Sequence, residues 1–252
     1  MIDNALIQSE RLNKMRQDFV ANVSHELRTP LTVIHGYVDT LLSLYQEDAK
    51  LNPIFTQILD QTKRMDMIIS DLLLLAKIEN ENPVAGSDPI DIAKLIQDIV
   101  QDAKNLGKNQ HQFILEIDPT LKLFGEINEL RSALSNIIFN AVHYTKAQGT
   151  ITISWYQQAQ LAYFKVMDTG IGIPEKDIPR VTERFYRVDK GRSRQSGGTG
   201  LGLAIVKHVL LRHQAELEIQ SVLNKGSTFT FVFPAERVAV WLFSKIITSR
   251  YV

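Results

Sequence analysis

The sequence contains no cysteine, which excludes disulfides, thiolate catalysis and cysteine-ligated metal sites and fits a reducing compartment. It has no apolar run of the roughly 18 to 20 residues that a membrane-spanning helix needs, and the polar start MIDNALIQSERLNK does not resemble a signal peptide. The 28 basic and 28 acidic residues cancel, so the basic excess typical of nucleic-acid binding is missing. We therefore expect a soluble, cytoplasmic chain without a nucleic-acid partner, and any membrane anchor would lie outside it.

The sequence has 252 residues, of which 44% are hydrophobic. This length is sufficient for two small domains, each with its own hydrophobic core. The first is predicted to be a helical hairpin, because apolar residues recur at steps of three and four in two long segments. In the first helix these are Phe19, Val23, Leu27, Leu31, Ile34, Val38, Leu41 and Tyr45. Pro30 is expected to kink that helix locally.

The second helix is predicted to follow the turn-favouring pair Asn52-Pro53. Its apolar positions are Ile54, Phe55, Ile58, Met65, Ile68, Ile69, Leu72, Leu73 and Leu75. Two helices alone cover such stripes poorly, whereas two hairpins can pair into a four-helix bundle. We therefore expect a homodimer.

An interdomain linker is predicted at residues 79–89, ENENPVAGSDP, which are rich in proline, glycine, asparagine and serine. Beyond it, helices are expected near 91–105, 126–143 and 200–213, and strands at FILEI, LKLF, TITISWY, LAYFKVM, AELEIQS and STFTFVF. This mixture predicts an α/β sandwich with helices on one face of a mixed sheet.

A polar cluster lies on the first helix opposite its apolar stripe. At about 100° per residue His25 should face water, with Thr29 one turn away on the same face and Glu26 at its flank. A neutral imidazole is a nucleophile near neutral pH, and a neighbouring carboxylate can take its other proton. Taken by itself, the cluster is a weak signal, and an ordinary exposed helix surface with polar neighbours is the better explanation of it. A zinc-protease motif is excluded because Thr29 stands where the second histidine is needed.

Two amides form a second candidate site, since Asn136 and Asn140 share one face of the helix at 126–143. Asparagine is unfavourable inside a helix, and its oxygen is a ligand that Mg²⁺ accepts. Hydrogen bonds to neighbouring backbone are an equally good explanation.

Glycine-rich segments form the third and fourth candidates. DTGIGIP begins with Asp168 at a predicted strand end, where a carboxylate can accept a hydrogen bond from an exocyclic amine such as that of adenine; a plain turn is the alternative. GGTGLGL opens a helix whose free N–H groups can face a polyphosphate, although its spacing is neither a Walker loop nor a Rossmann motif. Between them, ERFYRVDKGRSRQS is cationic and suggests a lid, with Arg187, Lys190, Arg192 or Arg194 toward phosphates, or simply a solvated basic loop.

Taken in order, five segments resemble the H, N, G1, F and G2 motifs of the sensor histidine kinases, and the wording looks closest to the phosphate-regulon branch of that family. They are SHELRTPL, NIIFNAVHYT, DTGIGIP, RFYRVD and GGTGLGL. The resemblance covers about residues 16–234. It implies a HisKA dimerisation hairpin followed by a Bergerat (GHKL) α/β sandwich that binds ATP, as in gyrase and Hsp90.

The resemblance also implies residue roles. His25 would be the phosphoacceptor, Glu26 its general base and Thr29 a positioner of water for dephosphorylating a response regulator. Asn140 would hold Mg²⁺ with help from Asn136, and Asp168 would receive the adenine amine under a lid from about Glu175 to Thr199. The full set assigned to ATP is Asn136, Asn140, His143, Tyr144, Asp168, Gly170, Gly172, Ile173, Phe185, Arg187, Gly198, Thr199, Gly200, Leu201 and Gly202.

One position departs from the family pattern: His143 stands where lysine is common before Tyr144, so we expect nucleotide binding with altered affinity or pH dependence. The expected layout is a lead-in helix at 1–18, the hairpin at 19–79, a linker at 80–90, the ATP-binding domain at 91–235 and a tail of unknown role at 236–252. Expected partners are a second copy, a response-regulator receiver domain, and upstream sensory and membrane domains. The alternatives are a GHKL ATPase without phosphohistidine and a degenerate kinase acting as a dimeric scaffold or phosphatase.

Overall fold

The computed structural model describes residues 23–24, 26–79, 84, 88–107, 109–188 and 199–239. The chain divides into two compact units. The first comprises Met1–Asn82 with Val181–His208, and the second comprises Pro83–Arg180 with Val209–Val252. None of the helices in the described ranges is both long and apolar enough to cross a membrane.

The first unit contains the predicted helical hairpin. Helix α1 is helical over 26–44 and continues through Pro30, residues 45–50 form the turn, and α2 spans Leu51–Ile78. The turn lies earlier than expected, because Asp48 closes it by accepting hydrogen bonds from the N–H groups of Lys50 and Leu51. Pro53 therefore lies in the first turn of α2, where a helix needs no N–H donor.

The apolar stripes of the hairpin are only partly covered within one chain. Leu31 and Val38 on α1, and Ile69 and Leu75 on α2, are buried. Other members of the two stripes remain exposed, namely Val23, Leu27, Ile34, Tyr45, Ile54, Ile58 and Met65. This pattern fits the expectation that more than one copy is needed to cover the hairpin.

The second unit contains two sheets and two complete helices, α3 (Ile92–Leu106) and α4 (Ile127–Tyr144). The larger sheet has the order β2-β4-β5-β7-β6 and is mixed, because β2 runs parallel to β4 and every other neighbouring pair is antiparallel. Its strands are β2 (Gln112–Ile117), β4 (Thr150–Gln158), β5 (Leu161–Asp168), β6 (Glu216–Val222) and β7 (Gly226–Phe233). Helix α5 (Gly202–Arg212) begins in the first unit and ends in the second.

Alternation along the strands explains which face of the larger sheet is covered. Every second residue of the central strands is buried: Ile151, Ile153, Trp155, Phe164, Val166, Phe229, Phe231 and Phe233. Helix α4 packs on β5 and also against α3, whose N-terminus is capped by the Asp91 side chain accepting from Lys94 N–H. One face of the sheet thus carries helices, as the sequence predicts.

A small second sheet was not predicted. It has the order β1-β3-β8 and joins Pro89–Asp91, Lys122–Phe124 and Val238–Ala239. The end of the expected linker is therefore a strand, and Val84 N–H already donates to Arg212 O in the second unit. The expected tail at 236–252 likewise contains a strand, Val238–Ala239, which pairs with Lys122–Phe124. The rest of the tail and the lead-in helix at 1–18 fall outside the described residues.

Candidate functional site

Helix α4 presents the predicted amide pair on a half-buried face. Asn136 and Asn140 are partly accessible, whereas Ile137, Ile138 and Ala141 on the other side are buried. The Asn136 side-chain nitrogen donates to Ser132 O at 3.0 Å. Because that bond uses the nitrogen end of the amide, the Asn136 oxygen is the end left to accept a hydrogen bond or bind a cation.

Asp168 ends strand β5 and is buried, with 6% of its surface exposed. Its carboxylate Oδ1 accepts a hydrogen bond from Gly170 N–H at 2.8 Å. Burial raises the pKa of the Asp168 carboxyl, while hydrogen bonds from the N–H groups of Gly170 and Ser227 oppose that rise. The side chain is thus an acceptor held in place at the end of the central strand of the sheet.

The loop after Asp168 contacts the end of α4, so the structure brings the second and third candidate motifs together. Ile171 N–H donates to Tyr144 O at 3.1 Å. Gly170 allows this approach, because a Cβ atom there would lie 2.4 Å from Tyr144 O. Gly172 has φ of +66°, and Ile173 is half-buried in the same loop.

Histidines lie at and beside the C-terminal end of α4. His143 is accessible to solvent, yet the surrounding protein lowers the pKa of its imidazole by desolvation. His111 Nε2 lies 3.0 Å from Thr145 O and must donate to it, since a carbonyl oxygen only accepts. His111 thereby satisfies one of the free carbonyls at this helix end, a role that no local sequence pattern indicates.

The first unit holds Phe185 and Thr199 of the predicted lid and the glycine segment that follows it. Phe185 N–H donates to Gly200 O at 2.8 Å, and both residues have positive φ. The Thr199 hydroxyl donates to Asp71 Oδ2 on α2 at 3.0 Å and accepts from Leu201 N–H, just before Gly202 begins α5. Burial raises the pKa of Asp71.

The remaining predicted residues divide between described and undescribed parts of the chain. Arg187 is half-buried, and Glu26 and Thr29 are exposed on α1, as their helical positions predict. His25, Gly198 and the predicted lid cations Lys190, Arg192 and Arg194 lie outside the described residues. The roles assigned to all these residues stay predictions.

The hairpin between β6 and β7 carries contacts that sequence reasoning missed. Ser221 Oγ accepts from Ile173 N–H at 2.7 Å, and Asn224 N–H donates to Ile171 O at 2.7 Å. Gly226 has φ of +110°, and a Cβ atom there would lie 1.9 Å from Asp168 O. The Asn-Lys-Gly turn was the available signal, but a turn motif does not tell which loop it will contact.

Two family models match the chain. The His Kinase A (phospho-acceptor) domain matches residues 15–81, and the histidine kinase-, DNA gyrase B- and HSP90-like ATPase matches residues 125–237. The chain therefore belongs to the sensor histidine kinases and carries their HisKA and HATPase_c domains.

Individual relatives point to one branch of that family. The chain is 49% identical over 245 residues to the phosphate regulon sensor protein PhoR of Pseudomonas aeruginosa, covering 95% of this chain and 54% of the relative. It is 40% identical to PhoR of Haemophilus influenzae, covering 87% of this chain and 51% of that protein. The chain thus spans about half the length of these two relatives.

Solved structures agree on the fold. Full-length ShkA in complex with AMPPNP is 25% identical with a TM-score of 0.70, covering 86% of this chain and 45% of that one. The mycobacterial sensor histidine kinase MprB is 26% identical with a TM-score of 0.53, covering 60% of this chain and 97% of that one.

Proposed function

We propose that this chain uses ATP to phosphorylate His25 and then passes the phosphoryl group to an aspartate of a response-regulator receiver domain. The observation that carries the proposal is the buried Asp168 carboxylate, which backbone N–H groups hold beside a glycine loop that contacts α4. Such a carboxylate is placed to accept a hydrogen bond from the exocyclic amine of adenine. The family membership and the AMPPNP complex of ShkA support ATP as the nucleotide.

The residues of α4 fit a magnesium-bound triphosphate. Mg²⁺ prefers oxygen ligands, and the side-chain oxygen of Asn140 is one such ligand. Asn136 offers a second, because its hydrogen bond to Ser132 O uses the side-chain nitrogen and leaves the oxygen. A bound Mg²⁺ would neutralise charge on phosphate oxygens. His143 stands where a fixed positive charge is common in the family, and desolvation, which lowers the pKa of its imidazole, disfavours the cationic form.

The proposed chemistry is an in-line displacement. A ring nitrogen of His25 forms a bond to the γ-phosphorus while the bond from that phosphorus to the β–γ bridging oxygen breaks, and ADP leaves with the electron pair. Glu26 accepts the proton of the other ring nitrogen. In the second step the phosphoryl group moves from His25 to the regulator's aspartate, and Thr29 positions water when the regulator is dephosphorylated.

Exposed apolar side chains on the hairpin, Leu27 and Ile34 on α1 and Ile54 and Ile58 on α2, support a homodimer. Mixed dimers test this pairing and also the route of transfer. Combining His25→Gln chains with Asn140→Asp chains restores labelling only if one subunit phosphorylates the other. The absence of any mixed species in native mass spectrometry would contradict the dimer.

The domain layout and the setting of the protein are further parts of the proposal. The HisKA and ATPase matches support a hairpin at 19–79, a linker at 80–90 and an ATP-binding domain at 91–235. The two PhoR relatives support a role in phosphate-limitation signalling, with this part of the protein on the cytoplasmic side of the bacterial inner membrane.

Autophosphorylation with γ-labelled ATP tests the function. We expect acid-labile, base-stable label in the wild-type chain and none in His25→Gln. His35→Gln is the matched control, because His35 lies on the same helix, half-exposed and 3.3 Å from Asp39, and has no proposed role in transfer. Label in His25→Gln equal to the wild type would refute the assignment.

The same assay separates the alternatives. ATP turnover without label would favour a GHKL ATPase, and neither turnover nor label would favour a scaffold or phosphatase. The exposed Glu26 and Thr29 on the helical hairpin favour the kinase, because ATP hydrolysis alone would not explain these polar residues on that surface.

A further inference from the structure

The Ser221 hydroxyl lies at the centre of a hydrogen-bond network that joins the β6–β7 hairpin to the loop after Asp168. Its oxygen is 2.7 Å from Ile173 N, 3.0 Å from Gly226 O and 2.9 Å from Ser227 Oγ. A serine hydroxyl has one proton and two acceptor positions. Its proton goes to Gly226 O, so Ser227 Oγ–H and Ile173 N–H both donate to Ser221 and its capacity is filled.

Two further contacts hold the same loop against the hairpin. Asn224 N–H donates to Ile171 O at 2.7 Å. Gly172 approaches so closely that a Cβ atom would lie 2.1 Å from Val222 O. Since Ile171 N–H is bound to Tyr144 O on the other side, the loop is fixed between α4 and the hairpin.

The position of this loop determines the position of the base-recognising carboxylate. Gly170 N–H donates to Asp168 Oδ1, and Ser227 N–H also bonds the Asp168 carboxylate. A displacement of residues 170–173 would therefore change the direction in which Asp168 offers its oxygens. Among the side chains of the hairpin, Ser221 is the one that bonds the loop backbone in the described residues.

We propose that Ser221 is a positioning residue for base selection: by accepting from Ile173 N–H it holds the loop and Asp168 in the arrangement that prefers adenine over guanine nucleotides. The inference rests on the proposed ATP site. Guanine carries a carbonyl where adenine carries its amine. A carboxylate fixed at that point therefore accepts a hydrogen bond from the adenine amine, whereas it repels the carbonyl oxygen of guanine. A displaced 170–173 loop would therefore weaken both the preference for adenine over guanine nucleotides and the affinity for ATP.

The test compares Ser221→Ala with two matched variants in the full chain, using calorimetric Kd values for ATP and GTP with Mg²⁺. Ser221→Ala should raise the Kd for ATP roughly 3- to 10-fold, the range of one neutral hydrogen bond, and reduce the ATP-over-GTP preference about 3-fold or more. Ser221→Thr restores the hydroxyl and should lie within about 2-fold of the wild type. Thr228→Ala removes a hydroxyl from β7 of the same hairpin, at the position paired with Gln220, and leaves the acceptor for Ile173 in place, so it should also stay near the wild type.

Hydrogen exchange of the Ile173 amide gives a readout that needs no variant, and it decides the question if Ser221→Ala does not fold. This amide should be protected roughly 100-fold or more in the wild-type chain. An unprotected Ile173 amide, an unchanged ATP preference in Ser221→Ala, or an equal loss in Thr228→Ala would each overturn the inference while leaving the ATP site intact. A wild-type chain that binds no ATP would instead overturn the proposed function itself.

Discussion

Replacing Asp168 with asparagine tests whether this carboxylate recognises the base or merely supports the fold. Asparagine has nearly the same shape and keeps one oxygen, but its nitrogen is a donor where adenine also presents a donor. A hydrogen bond to a charged group contributes about 1.5 to 3 kcal/mol, and about 1.4 kcal/mol corresponds to a tenfold change in Kd. We therefore expect Asp168→Asn to weaken ATP binding roughly 10- to 150-fold.

The stability of the same variant should not fall. Burial outweighs the two backbone hydrogen bonds and raises the pKa of Asp168 in the folded protein, so the ionised carboxylate opposes folding at neutral pH. A neutral amide removes that penalty. The free energy of unfolding of Asp168→Asn should thus equal or exceed that of the wild type at pH 7. The difference in the free energy of unfolding between the variant and the wild type should narrow as the pH falls toward the ordinary carboxyl pKa of 3.8, because the wild-type Asp168 side chain then becomes neutral as well.

Calorimetry with ATP and Mg²⁺, paired with urea unfolding of the apo chain at several pH values, measures both effects. Asp118→Asn is the control, because Asp118 is a partly exposed carboxylate whose hydrogen bonds come from Thr120 and from nearby backbone. ATP binding within about 3-fold of the wild type in Asp168→Asn would refute the role of this carboxylate, since the typical contribution of a hydrogen bond to a charged group, about 1.5 kcal/mol or more, corresponds to a change of at least about 10-fold. Loss of binding that merely follows loss of folding would refute it too.

Three further predictions concern stability, and urea unfolding measures each. Gly226→Ala should destabilise the fold by more than about 2 kcal/mol, because φ is +110° and the new Cβ would lie 1.9 Å from Asp168 O. Glu129→Ala should cost about 3 to 5 kcal/mol, because it removes the carboxylate 3.0 Å from buried Arg212 Nε. For His213, burial lowers the pKa to about 4, so the folded state binds fewer protons than the unfolded chain, and stability should fall by about 3 kcal/mol as the pH drops from 6.5 to 4.

Each of these predictions has a control within the chain. Gly36→Ala places a methyl group in open space on α1 and should be neutral or stabilising. Arg131→Gln breaks an exposed ion pair with Asp98 and should change stability by less than about 1 kcal/mol. His213→Gln should flatten the pH dependence between 4 and 6.5; an unchanged slope would show that another group causes it.

Much of the fold follows from sequence periodicity. The helix predicted at 126–143 is observed at Ile127–Tyr144, and the strand predicted from LAYFKVM is observed at Leu161–Asp168. These elements are long enough for a repeat of 3.6 or 2 residues to show. Strands such as Val238–Ala239 are too short to have a period, and only their partner strand Lys122–Phe124 defines them.

The candidate site divides in the same way. The sequence identified Asp168 and the amides of α4, because an acidic residue at a strand end and asparagines inside a helix are locally unusual. It did not identify His111 or Ser221, because a histidine or serine is ordinary in its own segment. Their roles arise from partners 34 and 48 positions away in the chain.

What the sequence determined by itself is therefore the set of local structures and the residues proposed to carry out the chemistry. Amphipathic periods specify helices and strands, and Asp168 and Asn140 bring chemical groups that need no neighbour to be recognised. The tertiary structure alone decided which groups meet: the α4 terminus with the glycine loop, and that loop with Ser221. The physical reason is that hydrogen bonds between distant segments depend on the packing of the whole sheet and its helices, which no local pattern encodes.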